Sequence, residues 1–390
     1  MKKCISTAAL ITGVLMFTQV QAATVEERIE ALEKKLEDTK GGNLISAAKK
    51  KVDVTLYGQV SKAVMFADDG EDDDVFFVDN SISGTRLGVK AKSKLNDEFA
   101  VGGKLEFEWT QNASSKVDMD TNSTGDTDNA KKRQMKVYLQ SKTAGKLTLG
   151  HGSVATDAIA QIDLSGTKLT GRSDAAFGKS FKFYDDNADS YSAIKVGNIF
   201  DHLDGGRKDG LRYDSPAFFG VTVSGTVAEN NYNDVTVRYA NTFAGTKVKA
   251  GVGYTYEGSA SSTHNKLSGS ASVMLPFGLN FTVAAGEKEF DDSTFDDGSY
   301  IYGKVGYQMK AFSIGSTSFS VDYGEYDDMD GSDSLTQYEG EMWGVEMLQK
   351  FNDINTEFYL AYRLYELDDN VAATDFEDVT VTVAGARFKF

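Results

Sequence analysis

The chain has 390 residues, enough for a large core, and a net charge of −17, which sets it against phosphate backbones and excludes a nucleic-acid binder. Its 38 glycines, 24 phenylalanines and 18 tyrosines beside only two prolines give a β-rich profile with many turns, poor in helical bias. The single cysteine, Cys4, lies in a segment that reads as a leader, which excludes a disulfide framework and a thiolate metal site.

Residues 1–22 carry Lys2 and Lys3, an apolar run and Val20-Gln-Ala22, the pattern of a secretory signal peptide with its cleavage site. Its removal takes away Cys4 and brings the net charge from −17 to −19. Residues 23–40 hold the one convincing helical pattern, with Val25, Ile29, Leu32 and Leu36 spaced as a coiled-coil seam. Two heptads are too short to stand alone in water, so they imply an oligomer held by something larger. Residues 41–51 read as a linker. Beyond residue 22 no apolar run approaches the ~20 residues of a spanning helix. That excludes a helical membrane protein but leaves open a barrel, whose strands hide their apolar residues at alternate positions.

From Val52 to Phe390 about sixteen extended runs follow, interrupted by an irregular stretch over His151–Gly210. The connections alternate between short turns, such as Leu95-Asn-Asp97, Ala244-Gly-Thr246 and Asn352–Asn355, and longer, mostly acidic loops. Several runs sort by face. Phe99, Val101, Leu105, Phe107 and Trp109 oppose Lys104, Glu106 and Glu108. Val248, Ala250, Val252, Tyr254 and Tyr256 oppose Lys247, Lys249 and Thr255. Ile301, Val305, Tyr307 and Met309 oppose Tyr300, Tyr302, Lys304 and Gln308, while Phe358, Leu360, Tyr362 and Leu364 oppose Tyr359, Ala361, Arg363 and Tyr365. Charges on strand after strand suit a water-filled lumen. In the last run Val379, Val381 and Val383 fall out of phase with Phe388 and Phe390, which predicts a bulge at Gly385.

Over residues 52–390 the sequence resembles the general porins of Gram-negative outer membranes. Thr55-Leu-Tyr-Gly58 is similar to their first-strand motif, and Ser83-Gly-Thr-Arg-Leu-Gly-Val-Lys90 to the second, whose arginine points into the pore. Leu147-Thr-Leu-Gly-His-Gly152 and Gly210-Leu-Arg-Tyr-Asp-Ser-Pro-Ala-Phe-Phe-Gly220 resemble the strands flanking the pore-constricting loop, and Phe390 resembles the C-terminal signal for barrel assembly. The resemblance implies an all-β, transmembrane antiparallel β-barrel of about sixteen strands with an inward-folded third loop, preceded by a short periplasmic helix. It further implies a homotrimer in the outer membrane, contacting lipid and lipopolysaccharide and recognised by the barrel-assembly machinery through Phe390. By the same resemblance Arg86, Arg212 and His151 form a basic side of the constriction facing Asp157 and Asp163 of the loop. His151 replaces an arginine, which makes the cluster pH-dependent, since an unperturbed histidine titrates near ~6.5. Lys90, Lys104, Glu106, Lys136, Arg238 and Lys304 line the lumen.

The function expected is passive diffusion of small hydrophilic solutes and ions, without cofactor or metal. The abundance of acids predicts a mild cation preference. A porin dedicated to phosphate or oligosaccharides is the alternative, with a lysine ladder or lumen tyrosines as its signature. Catalysis is not expected: the three histidines, His151, His202 and His264, sit in no metal-spacing motif, and no serine has a nucleophile-elbow context.

Overall fold

The computed structural model describes residues 43–46, 52–123, 130–175, 177–258, 263–292, 294–330, 336–371 and 374–390. The leader at 1–22, the coiled-coil seam of Val25, Ile29, Leu32 and Leu36, and most of the 41–51 linker lie outside them. The barrel belongs to the unit Leu44–Phe390.

Strand β1 (Asn43–Ser46) comes first, then β2 (Val52–Asp68), β3 (Asp73–Asp79), β4 (Arg86–Lys94), β5 (Phe99–Glu108), β6 (Lys131–Ser141) and β7 (Gly145–Ser153). A long connection holds the hairpin β8 (Lys182–Asp185) and β9 (Ser190–Lys195) and one helical turn, α1 (Val196–Ile199). The main sheet resumes with β10 (Arg207–Asp214), β11 (Val221–Ala228), β12 (Asn233–Phe243), β13 (Thr246–Tyr256) and β14 (Thr263–Met274). It ends with β15 (Leu279–Phe290), β16 (Gly298–Phe312), β17 (Gly315–Asp327), β18 (Tyr338–Phe351), β19 (Thr356–Asp369) and β20 (Val379–Lys389). Strand β7 pairs with β10 across the long connection, and β20 returns to pair with β2, Val60 opposite Phe388. Apart from β1 and β3, the strands of the eighteen-stranded sheet close an antiparallel ring of sixteen.

Closure turns the alternation in the sequence into an outside and an inside. On β19, Phe358, Leu360 and Tyr362 are 44–50% exposed, whereas Tyr359, Ala361, Arg363 and Tyr365 are at most 4% exposed. On β16, Ile301, Val305 and Tyr307 are exposed while Tyr300, Tyr302 and Lys304 are buried. An apolar belt running round the whole ring suits hydrocarbon rather than water. At one rim every connection is short: residues 95–98, 142–144, 215–220, 244–245, 275–278, 313–314 and 352–355. Phe218, Phe219, Phe243, Phe277 and Phe312 stand exposed there as an aromatic girdle.

Two strands depart from the expected pattern. The second run, expected as Ser81–Lys94, is divided: β3 pairs with Lys62–Asp68 of β2, β4 pairs with Val52–Gln59, and residues 80–85 break between them. The acidic run before Val75 hides β3 from a sequence reading. Asp79 accepts the backbone N–H groups of Gln111 and Asn112, and Asn80 donates to the Leu169 carbonyl and the Tyr359 hydroxyl, so the break is tied to other segments.

The second departure is a correction. No bulge occurs at Gly385, because β20 pairs without a shift from Val379 to Phe388. Val379, Val381 and Val383 all point inward and are fully buried, while Phe388 and Phe390 point outward. The apolar face of a barrel strand need not be its lipid face when another segment covers it from inside. Gly385 is required for a different reason: a Cβ there would collide with the Tyr359 ring.

Candidate functional site

The segment 154–206, between β7 and β10, bonds to inward side chains on most of the ring. Small residues on β13 and β14 let its backbone approach. A Cβ at Gly251 would lie 2.7 Å from Ile159 Cδ1, and one at Gly253 2.7 Å from Thr156 Cγ2. Ile162 N–H donates to Ser270 Oγ at 2.9 Å and Leu164 N–H to Ser272 Oγ at 3.0 Å, so serine hydroxyls satisfy loop donors that have no strand partner. Earlier in the segment, Arg212 donates to the carbonyls of Ser153 (3.2 Å) and Val154 (2.7 Å), and Arg238 to those of Ala155 (3.0 Å) and Asp157 (2.9 Å).

Further round, the contact becomes a buried charge cluster. Lys304 Nζ lies 3.2 Å from Asp163, donates to the Gly171 carbonyl at 2.8 Å, and sits 3.8 Å from Asp322 and 3.7 Å from Glu346. Arg363 pairs with Asp322 and lies 3.5 Å from Glu346. Beyond it the contact is aromatic and apolar. Phe200 packs on Tyr326 and Tyr365, with ring centroids 5.0 and 5.1 Å apart, and Tyr365 donates its hydroxyl to the Phe177 carbonyl. Within the segment, the buried Asp174 accepts from Arg172 (2.9 Å) and pairs with Lys179 (2.8 Å).

Burial raises the pKa of both Asp163 and Asp174, yet their neighbours win. Lys304 and the bonds from Ser165 hold Asp163 below the usual carboxylate range, and Arg172, Lys179 and His202 hold Asp174 well below it. A carboxyl depressed on folding contributes stability above its unfolded pKa, about 3.9, and loses it as pH falls towards the folded value. Hydrogen exchange in 154–206, after correction for intrinsic rates, is therefore expected to rise as pH falls below about 4. Exchange unchanged between pH 5 and 3 would contradict this.

The inward wall from β4 to β7 makes few contacts with this segment and is rich in cations. Arg86 donates to Gln59 Oε1 at 3.3 Å. Lys90 lies 4.4 Å above the Tyr57 ring, and Lys104 sits 3.0 Å from Glu106. Glu106 also accepts from Tyr57 (2.6 Å) and Arg133 (3.0 Å). Lys136 stands opposite Gly150.

Most of the expected site residues therefore share the inward face, with two corrections. His151 does not: it continues the outward row of Leu147 and Leu149 and bonds Asp209 at 3.1 Å, beside Lys132. Simple alternation from Leu147 places it there, whereas the family comparison placed it in the pore. Lys304 is inward but only 3% exposed, so it holds the loop instead of lining open space. Arg86 and Arg212 are inward but make no bond to each other. Among residues missed, Arg133 turns inward because the β5–β6 register shifts at Glu106/Phe107, which no alternation rule forecasts. Asp322 and Glu346 were legible from strand parity but carry no motif.

A family model described as Gram-negative porin matches residues 8–384. Among solved structures, the chain is similar to the anion-selective porin from Comamonas acidovorans, at 16% identity and TM-score 0.61 over 87% of this chain and 100% of that one. It is also similar to a trimer form of in-vitro folded OmpT of Vibrio cholerae (15%, TM-score 0.53, 87% and 100%). Salmonella typhi OmpF in complex with daunomycin matches at 13% identity and TM-score 0.55, over 89% and 100%. No curated protein matches the chain.

Proposed function

The chain belongs to the Gram-negative porin family and forms an outer-membrane channel; on that premise we propose passive diffusion of small hydrophilic solutes through a lumen narrowed by segment 154–206. The observation that carries this is the parity of the closed ring, apolar outside and charged inside on strand after strand. The bonds from Ser270, Ser272, Lys304 and Tyr365 to 154–206 support reading that segment as the inward-folded third loop. Arg86 and Arg212 on the wall, with Asp157 and Asp163 on the loop, are the groups proposed to border the constriction. Lys90, Lys104, Glu106, Lys136 and Arg238 are proposed to line the lumen. Opposed charges across a narrow waist orient polar solutes and disfavour apolar ones, and no covalent step is needed. Family and fold support a channel rather than an enzyme. Liposome swelling with sugars of increasing size tests the function: influx is expected to fall with solute size, and liposomes that admit no sugar would contradict it.

We also propose a homotrimer, exported by the 1–22 leader, with the 23–40 helices zipped in the periplasm. Lys62 supports it: on the outward face of β2 its side chain is 54% exposed, paired at 2.8 Å with the buried Asp79, and its register partner is Ala386, near the C-terminal Phe390. A lysine facing hydrocarbon at that depth costs about 2–4 kcal/mol, which a protein neighbour removes. Lys62→Glu is expected to convert the trimer to monomers on unheated gels, whereas deletion of 23–40 is expected to leave it intact. A trimer unaffected by the charge reversal would move the interface elsewhere.

A further inference from the structure

The inner wall carries a niche in which Arg212 reaches the loop but the lysines do not. A cavity of about 210 Å³ opens where β6, β7 and β10 meet, lined by Lys136, Lys146, Thr148, Lys208, Arg212 and Asp214. Its floor is backbone. Lys136 is opposite Gly150, Gly150 is opposite Gly210, and Gly152 is opposite Lys208. The floor must stay bare. Gly150 has φ +116°, which strains any other residue, and a Cβ at Gly152 would press to 2.9 Å of the Lys136 stem. Lys136 on β6 and Lys146 on β7 line this one cavity, whose volume is room for a small oxyanion.

The charges there do not cancel. The one lining carboxylate, Asp214, is already held by Arg212 at 2.6 and 2.9 Å and by Ser224 Oγ at 2.7 Å. Lys208 shares Glu257 with Lys266. Lys146 lies 4.5 Å above the Tyr138 ring, a contact that leaves its charge intact. Neither Lys136 nor Lys146 has a carboxylate within ion-pair distance among the described residues. Two ammonium groups without a carboxylate partner are left on the niche wall. Meanwhile the inward acids of β17 and β18, Asp322 and Glu346, are buried against Lys304 and Arg363 beneath the loop and meet no solute. The net charge of −17 is thus a poor guide to what a permeating ion meets.

We infer that Lys136 and Lys146 form an oxyanion subsite on the lumen wall, with Thr148 beside them and the paired Arg212 and Asp214 at its border. It takes phosphate- or carboxylate-type anions and biases the channel towards anions. The inference rests on the channel reading above and reverses the cation preference that the composition suggests. A surplus charge about 6 Å from a passing ion in water changes its local concentration about twofold at ~0.1 M salt, once screening is counted.

The test uses the purified full-length protein in planar bilayers. Under a KCl gradient the reversal potential is expected to have the sign of chloride preference, and added inorganic phosphate is expected to reduce the chloride current saturably. Lys136→Gln and Lys146→Gln are each expected to lower the chloride-to-potassium permeability ratio about twofold to threefold. Together they are expected to abolish phosphate inhibition, while Lys136→Arg and Lys249→Gln, the latter outside the niche, keep it. Regular conductance steps with potassium preference, or with phosphate inhibition unchanged in the double variant, would overturn the subsite and leave the channel reading standing. Absence of any conductance step would overturn both.

Discussion

Lys304→Met is expected to release the loop from the wall, raising mean single-channel conductance and open-channel noise, and to lower stability by about 3–5 kcal/mol. The size follows from what the side chain holds. Asp163 comes from the loop, Asp322 and Glu346 from the wall, and Lys304 is the ammonium between them, with Arg363 the second cation of the group. Methionine fills much of the same space but leaves three buried acids to one guanidinium and takes away the donor to the Gly171 carbonyl. There is no slack to absorb this, because a Cβ at Gly171 would already run into Glu346. Conductance comes from electrophysiology, and stability from the loss of strand circular dichroism on heating. Unchanged conductance with an unchanged melting midpoint would show that the cluster does not hold the loop.

Val305→Lys is expected to destabilise insertion into lipid vesicles by about 2–4 kcal/mol, the range for lysine at the bilayer midplane. Val305 is the central residue of β16, points outward and is 50% exposed. Its register partners Phe281 and Val321 are outward and about half exposed too, so a lysine there has no polar neighbour on the same row. Gln140→Lys, on the exposed inward face of β6, is expected to change stability by no more than about 0.5 kcal/mol. Equilibrium folding into vesicles, followed by tryptophan fluorescence, separates the two. Equal effects from both substitutions would mean that the outward face does not meet hydrocarbon.

Much of the architecture was readable from residue order. The faces of β5, β13, β16 and β19 are those their alternation predicts, and the short turns collect at one rim. His151 shows where a stricter reading of the residues does better than resemblance, since Leu147, Leu149 and His151 are plainly one row. The valines of β20 show the reverse. Assuming that apolar means lipid-facing led to a bulge at Gly385 that does not exist, because Val379, Val381 and Val383 are buried from inside. The functional groups were readable only as inward or outward.

By itself the sequence determined the period-two pattern and, on strands without a register shift, which residues share a face. These follow from a pleated backbone that sends successive side chains to opposite sides whatever lies beyond them. Only the tertiary structure decided which inward residues meet water. Lys304 and Lys136 have the same parity and the same chemistry, yet one is sealed against Asp163 and Gly171 while the other lines an open cavity. That difference depends on where residues 154–206 lie against strands more than a hundred positions further along the chain, and no local pattern encodes it.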